Sequence, residues 1–190
     1  MKSLLYATGN PTKFRTAVKV CDTYGISLKQ FSLDIPEIQD DDGEVIARDK
    51  ALRIFEQIQE PLVITDDSWF IPGLKGFPGP YMKYVNHTFT EEDWLRLTVS
   101  LDDRRIMLRQ VVVYQDKHQQ QLFRLDVEAL LLKEIRGSCE FPHASITSFD
   151  GGKTTAAEHI SRGRSALGES EHQTSWHDFC KWYKQQDSTT

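Results

Sequence analysis

The fold is decided by a short stretch near the start of the chain, LLYATGNPTK at residues 4–13. Its apolar run at 4–7 predicts a buried strand, and the glycine and asparagine that follow predict a turn. Pro11 suits the first position of a helix, where its missing N–H costs nothing. A glycine turn of this kind lets backbone N–H groups and a helix N-terminus approach an anion. An ordinary turn before a proline-capped helix has the same appearance, and the spacing is not that of a P-loop.

Outward from this stretch, the chain alternates predicted strands and helices. Strands are predicted at residues 26–33, 62–64, 105–114 and 121–132, and helices at residues 11–24, 45–59, 81–86, 91–100, 154–159, 164–167 and 176–184. A loop rich in glycine and proline is expected at 66–80, and a frayed polar tail at 185–190. Mixed elements in this order favour an α/β fold, and the 190 residues are expected to form one domain over 1–190.

Composition excludes several classes of protein. The net charge of −5 argues against a protein that coats nucleic acid or an anionic membrane. The cysteines, Cys21, Cys139 and Cys180, stand far apart, which indicates reduced thiols rather than a disulfide scaffold or a zinc site. No run approaches the ~20 apolar residues of a membrane span. The first apolar run is too short for a signal peptide. We therefore expect a cytoplasmic protein with neither a nucleic-acid nor a membrane partner.

Acidic residues follow two of the predicted strands. Glu37 comes after the second strand, and Asp66 and Asp67 come directly after the third. Carboxylates at the ends of neighbouring strands converge at the edge of a sheet where α/β proteins bind ligands. Their oxygens suit Mg²⁺ that bridges substrate phosphates, and one carboxylate can accept a proton from an attacking water. The nearby acidic run at residues 40–42 is better explained as a solvated loop.

Two later stretches are further candidates for a binding site. Residues 73–81, GLKGFPGPY, contain enough glycine and proline to specify one loop shape, and such loops often border a site. Residues 159–164, HISRGR, place two arginines around a glycine. An arginine can fork onto a phosphate or stack on a base, although a charged helix edge looks the same.

Taken in order, these stretches resemble the inosine triphosphate pyrophosphatase family, the Ham1-like pyrophosphatases of non-canonical purine nucleoside triphosphates. The resemblance covers most of the chain. It rests on TGNPTK at 8–13 for the family's [TS]GNxxK, IPE at 35–37, KA at 50–51, DDS at 66–68 for DDSGL, GFPGPY at 76–81 for GxPGxY, and RGR at 162–164 for the end of SHRxRAL. The opening, DDS and GxPGxY motifs are far more specific together than any one alone.

The resemblance implies both a fold and a reaction. The fold is an elongated central mixed β-sheet flanked by helices, with two lobes and the site in a central cleft. The reaction is nucleotide-pool housecleaning: a nucleoside triphosphate is cut between its α- and β-phosphates with Mg²⁺, or Mn²⁺ as the alternative. The products are a monophosphate and diphosphate, and the usual substrates are deaminated purine nucleotides such as ITP, dITP and XTP. The resemblance also implies a homodimer.

Residue roles follow from the same resemblance. Glu37, Asp66 and Asp67 would bind the metal, and Asp67 would also orient or deprotonate the water, with Lys13 and Glu37 as further catalytic groups. The substrate-binding residues would be Thr8, Gly9, Asn10, Lys13, Lys50, Ser68, Trp69, Phe141, His143, Ser161 and Arg162.

Departures from the family pattern concentrate in the part that reads the base. Trp69 replaces the glycine of DDSGL. The segment that corresponds to FG[YW]DP begins at Phe141 and lacks the aspartate, and His143 stands where an aromatic ring would stack on the base. Ser161 takes the place of the histidine in SHR. We therefore expect intact phosphate and metal binding and an altered or broader base preference. A nucleotide-binding protein or sensor with little turnover, or a diphosphatase for another modified nucleotide, remain the alternatives.

Overall fold

The computed structural model describes residues 3–168 and 174–187 and confirms a mixed α/β fold. The strands are β1 (Leu4–Ala7), β2 (Leu28–Phe31), β3 (Leu62–Phe70), β4 (Pro78–Gly79), β5 (Arg105–Gln115), β6 (Gln120–Leu131) and β7 (Thr147–Ser148). The helices are α1 (Pro11–Thr23), α2 (Gly43–Ile58), α3 (Met82–Thr88), α4 (Glu91–Thr98), α5 (Ala156–Ser161) and α6 (Trp176–Asp187). Short 3₁₀ helices cover Pro72–Leu74 and Pro142–Ser145.

The strands form one seven-stranded sheet in the order β2-β1-β3-β5-β6-β7, with β4 paired to β3. β1 lies parallel to both of its neighbours, so that Leu5 is opposite Lys29 of β2 and Leu62 of β3. The pairs β3–β4 and β6–β7 are antiparallel. The parallel part matches the strand–turn–helix unit expected from the sequence, since parallel neighbours need a crossover connection.

The chain divides into two compact units. The first comprises Met1–Asp67, Gln110–Leu125 and Thr174–Thr190, and the second comprises Ser68–Arg109 and Asp126–Gln173. Among the described residues, no helix combines the length and the apolar character that a membrane crossing requires.

In the first unit, side chains alternate between the two faces of the sheet, as a strand requires. Tyr6 of β1 faces a core that contains residues of α1 and α6, including the fully buried Phe179. The next residue, Ala7, faces a second core that contains residues of α2, including the buried Ile54. The first unit therefore has helices packed on both faces of its strands, which explains why β1 reads as a continuous apolar run.

The second unit has its own apolar core. It is built around Trp94, Ile106 and Ile146, all fully buried. Trp94 comes from α4, which begins with a capping box between Thr90 and Asp93. This reciprocal pair of hydrogen bonds fixes the start of the helix and hence the direction in which Trp94 enters the core.

Two elements differ from the sequence prediction. β3 does not end at Ile64 but continues to Phe70, because its last residues pair with β4 at Trp69 and Phe70. The helix predicted at 164–167 is absent, and those residues form turns and coil. Both errors arise because a local pattern cannot show which partner strand or core a segment meets. The predicted tail at 185–190 begins inside α6, and its residues 188–190 lie outside the described part of the chain.

Candidate active site

The turn after β1 is held by the side chain of Asn10, which caps α1. The Asn10 Oδ1 accepts hydrogen bonds from the backbone N–H groups of Thr12 at 2.9 Å and Lys13 at 3.0 Å. The backbone N–H of Asn10 donates to Thr8 Oγ1 at 3.1 Å. Pro11 has no N–H to offer, so these bonds occupy the amides at the start of the helix. Thr8, Gly9 and Asn10 thus shape the turn. What α1 presents to an anion is the Lys13 side chain and the favourable end of the helix dipole.

Lys13 pairs with one of the predicted metal ligands. Its Nζ lies 2.9 Å from Oδ2 of Asp67, and the two side chains are 32% and 30% exposed. Burial disfavours the ammonium, but the carboxylates of Asp67 and Asp66 outweigh it and raise the pKa of Lys13 above its ordinary value. Lys13 is therefore a fixed positive charge, placed by the first turn of α1 against the far half of β3.

A second lysine pairs with the other acidic segment. Lys50 of α2 donates from Nζ to Glu37 Oε1, in the connection between β2 and α2. α2 is oriented by Asp42, whose carboxylate caps it by accepting the Glu44 N–H at 2.9 Å. Part of the acidic run at 40–42 therefore caps a helix, whereas the sequence predicted only a solvated loop for it.

Asp66 connects the two ion pairs electrostatically. Burial raises its pKa to about 6, with a further contribution from the negative charge of Asp67. The charges of Lys13 and Lys50 both act in the opposite direction. Both lysines therefore act electrostatically on Asp66. The predicted metal ligands thus belong to a single network of charges in the first unit.

The donor chemistry of this network fits a hard cation. Carboxylate oxygens are the preferred protein ligands of Mg²⁺ and also bind Mn²⁺. Within residues 3–168 and 174–187, however, no three His, Cys, Asp or Glu side chains lie close enough together to hold a metal by themselves.

The residues predicted to read the base belong to the second unit, and two of them are packed inside it. His143 is 6% exposed, and its ring meets that of Trp69 edge-on with centroids 4.7 Å apart. Its Nδ1–H donates to Asn86 Oδ1 at 3.0 Å. Burial lowers the pKa of His143 to about 3, so the ring is neutral. The bulky Trp69 that replaces a glycine of the family motif therefore packs against the histidine that replaces its stacking aromatic residue.

The other predicted substrate contacts differ in their exposure. Phe141, next to the buried histidine, is 37% exposed. Ser161 and Arg162, at the end of α5, are both exposed, and the Ser161 hydroxyl donates to the carbonyl of Glu158. Ser68 is buried, although the sequence predicts a substrate contact for it. Among the side chains predicted to contact the base, Phe141 thus has an exposed aromatic ring and Arg162 is an exposed cation.

The loop at 73–81 has the defined shape that its composition predicts. Gly76 and Gly79 adopt φ values of +92° and +60°, which side chains rarely tolerate, and the Phe77–Pro78 bond is cis. The Phe70 ring lies against both glycines, 3.8 Å from where a Cβ would stand. The guanidinium of Arg109 lies over the Phe70 ring, 4.8 Å from the ring centroid. The positive φ values therefore favour glycine at both positions, whereas the Phe70 ring would leave room for a Cβ.

Sequence reasoning missed two polar groups beneath the charged network. The hydroxyl of Tyr6, on β1, lies 2.6 Å from Thr65 Oγ1, on β3. Tyr6 sits within an apolar strand, and Thr65 precedes the acidic pair. No local pattern distinguishes them from ordinary strand residues, because their pairing depends on the register of the two strands.

The fold and the site define an α/β protein with two lysine–carboxylate pairs, one on β3 and one in the connection between β2 and α2. Residues 4–167 match the model of the Ham1 family, and the chain belongs to that family. The resemblance seen in the sequence motifs is thereby confirmed.

Similar proteins match along nearly the whole chain. The "dITP/XTP pyrophosphatase" of Methanopyrus kandleri is 32% identical over 183 residues, which cover 95% of this chain and 96% of that protein. The protein of the same name from Thermococcus kodakarensis is 29% identical over 182 residues, with 96% and 97% covered. Among solved structures, a HAM1 protein from Coxiella burnetii superposes with a TM-score of 0.75 at 17% identity, over 97% of this chain and all of the other. The structural match supports the same fold.

The buried His143 predicts how stability depends on pH. Its folded pKa of about 3 lies below the ordinary value of a histidine, so stability is fully present above pH ~6.5 and falls as the unfolded chain takes up a proton. Replacing it by His143→Phe should reduce the loss of unfolding free energy between pH 7.5 and 5.5 by about 1 kcal/mol. Urea titrations at both pH values measure this difference.

The matched control is His87→Gln, on α3, because the His87 side chain is exposed. This substitution should leave the pH dependence as it is in the wild type. An unchanged pH dependence in His143→Phe would mean that the His143 ring titrates normally in the folded protein.

Proposed function

We propose that this protein is a Mg²⁺-dependent nucleoside triphosphate diphosphatase. It hydrolyses purine nucleoside triphosphates, ITP, dITP and XTP among them, to the monophosphate and diphosphate, and so removes non-canonical nucleotides from the precursor pool. The names of the two relatives, both dITP/XTP pyrophosphatases at about this length, support the reaction and the substrate class. Mn²⁺ is the alternative metal.

The observation that carries the proposal is the pairing of lysines with carboxylates in the first unit. Lys13 Nζ lies 2.9 Å from Asp67 Oδ2, and Lys50 forms an ion pair with Glu37. A triphosphate brings strong negative charge and, with it, a divalent cation. Each lysine can contact a phosphate oxygen in place of its carboxylate, and the carboxylates would then be available to hold the metal. The ion pairs are thus a charge-balanced resting state for a site that binds both.

The protein side chains have separable tasks in the reaction. Lys13 and Lys50 bind phosphate oxygens and neutralise charge that develops on them. The Asp67 carboxylate orients the attacking water and accepts its proton. Thr8 and Asn10 hold the turn that aims Lys13, because they fix the first residues of α1. Catalysis of this type consists mostly of positioning and charge neutralisation.

Asp67, Asp66 and Glu37 are the residues that would hold the metal. When bound, Mg²⁺ neutralises phosphate charge and polarises the phosphoryl group.

Base recognition is proposed to differ from the usual pattern of the family. The family's aspartate is absent after Phe141, and His143 is enclosed by Trp69 and other aromatic rings rather than offered for stacking. Phe141 can still provide an exposed aromatic face, and Arg162 an exposed guanidinium. Such groups stack on many bases and discriminate weakly between them. Homodimer formation and a cytoplasmic location are part of the same proposal.

Asp67→Asn tests the reaction. We expect wild-type protein to convert ITP to IMP and diphosphate with Mg²⁺, and the variant to lose at least about 100-fold in kcat, as when a general base is removed. Phosphorus NMR of the products separates diphosphate release from stepwise loss of phosphate.

Asp22→Asn, at the exposed far end of α1, is the matched control and should retain activity within about twofold. If the wild type bound ITP but did not hydrolyse it, and Asp67→Asn bound it equally well, the protein would be a nucleotide-binding protein and the enzymatic proposal would be wrong.

The proposed change in base recognition is tested with a panel of nucleotides. We expect kcat/KM for ITP to exceed the values for GTP and ATP by less than about 100-fold, because the exposed aromatic face discriminates by shape rather than by a buried polar group. Release of diphosphate from ITP, XTP, GTP, ATP and dCTP, measured with Mg²⁺, gives the ratios. A preference for ITP and XTP above about 1000-fold over all the others would contradict altered recognition.

A further inference from the structure

The Tyr6 hydroxyl is a buried polar group in an otherwise apolar strand. Tyr6 is fully buried, and its hydroxyl lies 2.6 Å from Thr65 Oγ1. A phenylalanine would fill the same core without a polar atom that needs a partner, so the hydroxyl calls for an explanation. Tyr6 lies on β1, two residues before Thr8 of the following turn. Thr65 lies on β3 and directly precedes Asp66. The hydrogen bond therefore joins the two strands just below the proposed site.

The charges of Lys13 and Asp67 both affect the pKa of the same hydroxyl. Burial raises the pKa of Tyr6 to about 12, the positive charge of Lys13 opposes that rise, and the negative charge of Asp67 adds to it. Hydrogen bonding with Thr65 and Thr8 also opposes the rise in this pKa. The phenol is therefore neutral at ordinary pH, and its partner Thr65 stands two residues before Asp67 on β3.

Packing fixes where the hydroxyl can be. The Tyr6 ring meets Trp176 edge-on at 5.1 Å between centroids and lies 6.1 Å from Phe14. Trp176 is itself buried. A ring held on these sides cannot swing its hydroxyl elsewhere, so the dipole is oriented before any substrate arrives.

We infer that Tyr6 is a positioning residue: through its hydrogen bond to Thr65 it ties β1, which leads into the turn before Lys13, to the part of β3 that carries Asp67. Its catalytic consequence rests on the proposed function, but its effect on the ion pair does not. Lys13 keeps its charge without the hydroxyl, so phosphate attraction persists. What is lost is the fixed position of the β3 segment that carries Asp67, which lowers the rate of the chemical step.

Tyr6→Phe removes only the hydroxyl and preserves the packed ring. We expect kcat for diphosphate release from ITP to fall about tenfold while KM changes less than about twofold, since the interaction matters mainly in the reaction step. Thr65→Val should have a similar effect, and the double variant should be no slower than either single one, because the two groups act as a unit. Thr65→Ser, which keeps the hydroxyl, should restore the rate.

Tyr24→Phe is the matched control, because this tyrosine packs against the same core and its hydroxyl bonds to His177 Nδ1 at 3.2 Å. It should leave kcat within about twofold of the wild-type value. Normal kcat in both Tyr6→Phe and Thr65→Val, with an active wild type, would overturn the inference and leave the proposed function intact. If Tyr6→Phe fails to fold, Thr65→Val carries the same test with the tyrosine in place.

A readout independent of turnover follows the Lys13 amine itself. Limited acetylation with acetic anhydride, read by mass spectrometry, should label Lys13 several times faster in Tyr6→Phe than in the wild type, relative to the exposed Lys19 on the same helix. The Tyr24→Phe control should leave that ratio unchanged. A ratio unchanged in Tyr6→Phe overturns the inference. A raised ratio together with an inactive wild type supports the positioning role and contradicts only the proposed function.

Discussion

The pairing of Lys13 with Asp67 joins the first helix to the third strand, and much of the first unit serves to make that contact. The two residues come from segments more than fifty positions apart in the sequence. They meet because β1 lies parallel to β3, and because Asn10 starts α1 immediately after the turn. Lys13 thereby stands in the first turn of the helix, over the half of β3 that continues beyond β1. On the proposed function, the lysines and a metal would separate the negative charges of this acidic protein from those of a triphosphate.

Much of this half of the molecule can be predicted from the sequence because its signals are local. The apolar run, Gly9, Asn10 and Pro11 follow one another, and each has a physical role in the strand, the turn or the cap. The acidic pair at 66–67 is equally visible. What the sequence does not show is that β3 runs through these residues, because the pairing with β4 depends on the shape of the glycine- and proline-rich loop that follows β3. The ion pairs and the Tyr6 hydroxyl depend on strand register and are hidden for the same reason.

The second unit shows the opposite case, in which the motif pattern was visible but its meaning was not. The sequence shows that Trp69 and His143 occupy positions where the family has a glycine and an aromatic residue. It does not show that the two side chains pack against each other, more than seventy residues apart. Burial turns the histidine from a candidate base contact into a neutral core residue bonded to Asn86. Two departures from a motif can therefore be one compensated change in packing.

We propose that the two lysine–carboxylate pairs are the resting form of a metal–triphosphate site. The decisive measurement is a crystal structure with Mg²⁺ and a triphosphate analogue that resists cleavage between the α- and β-phosphates. We expect Lys13 Nζ to leave Asp67, from which it now lies 2.9 Å, and to bind a phosphate oxygen, while Asp67 and Glu37 ligate the metal. A bound analogue with Lys13 still on Asp67 and Lys50 still on Glu37 would show that the pairs are not a resting form.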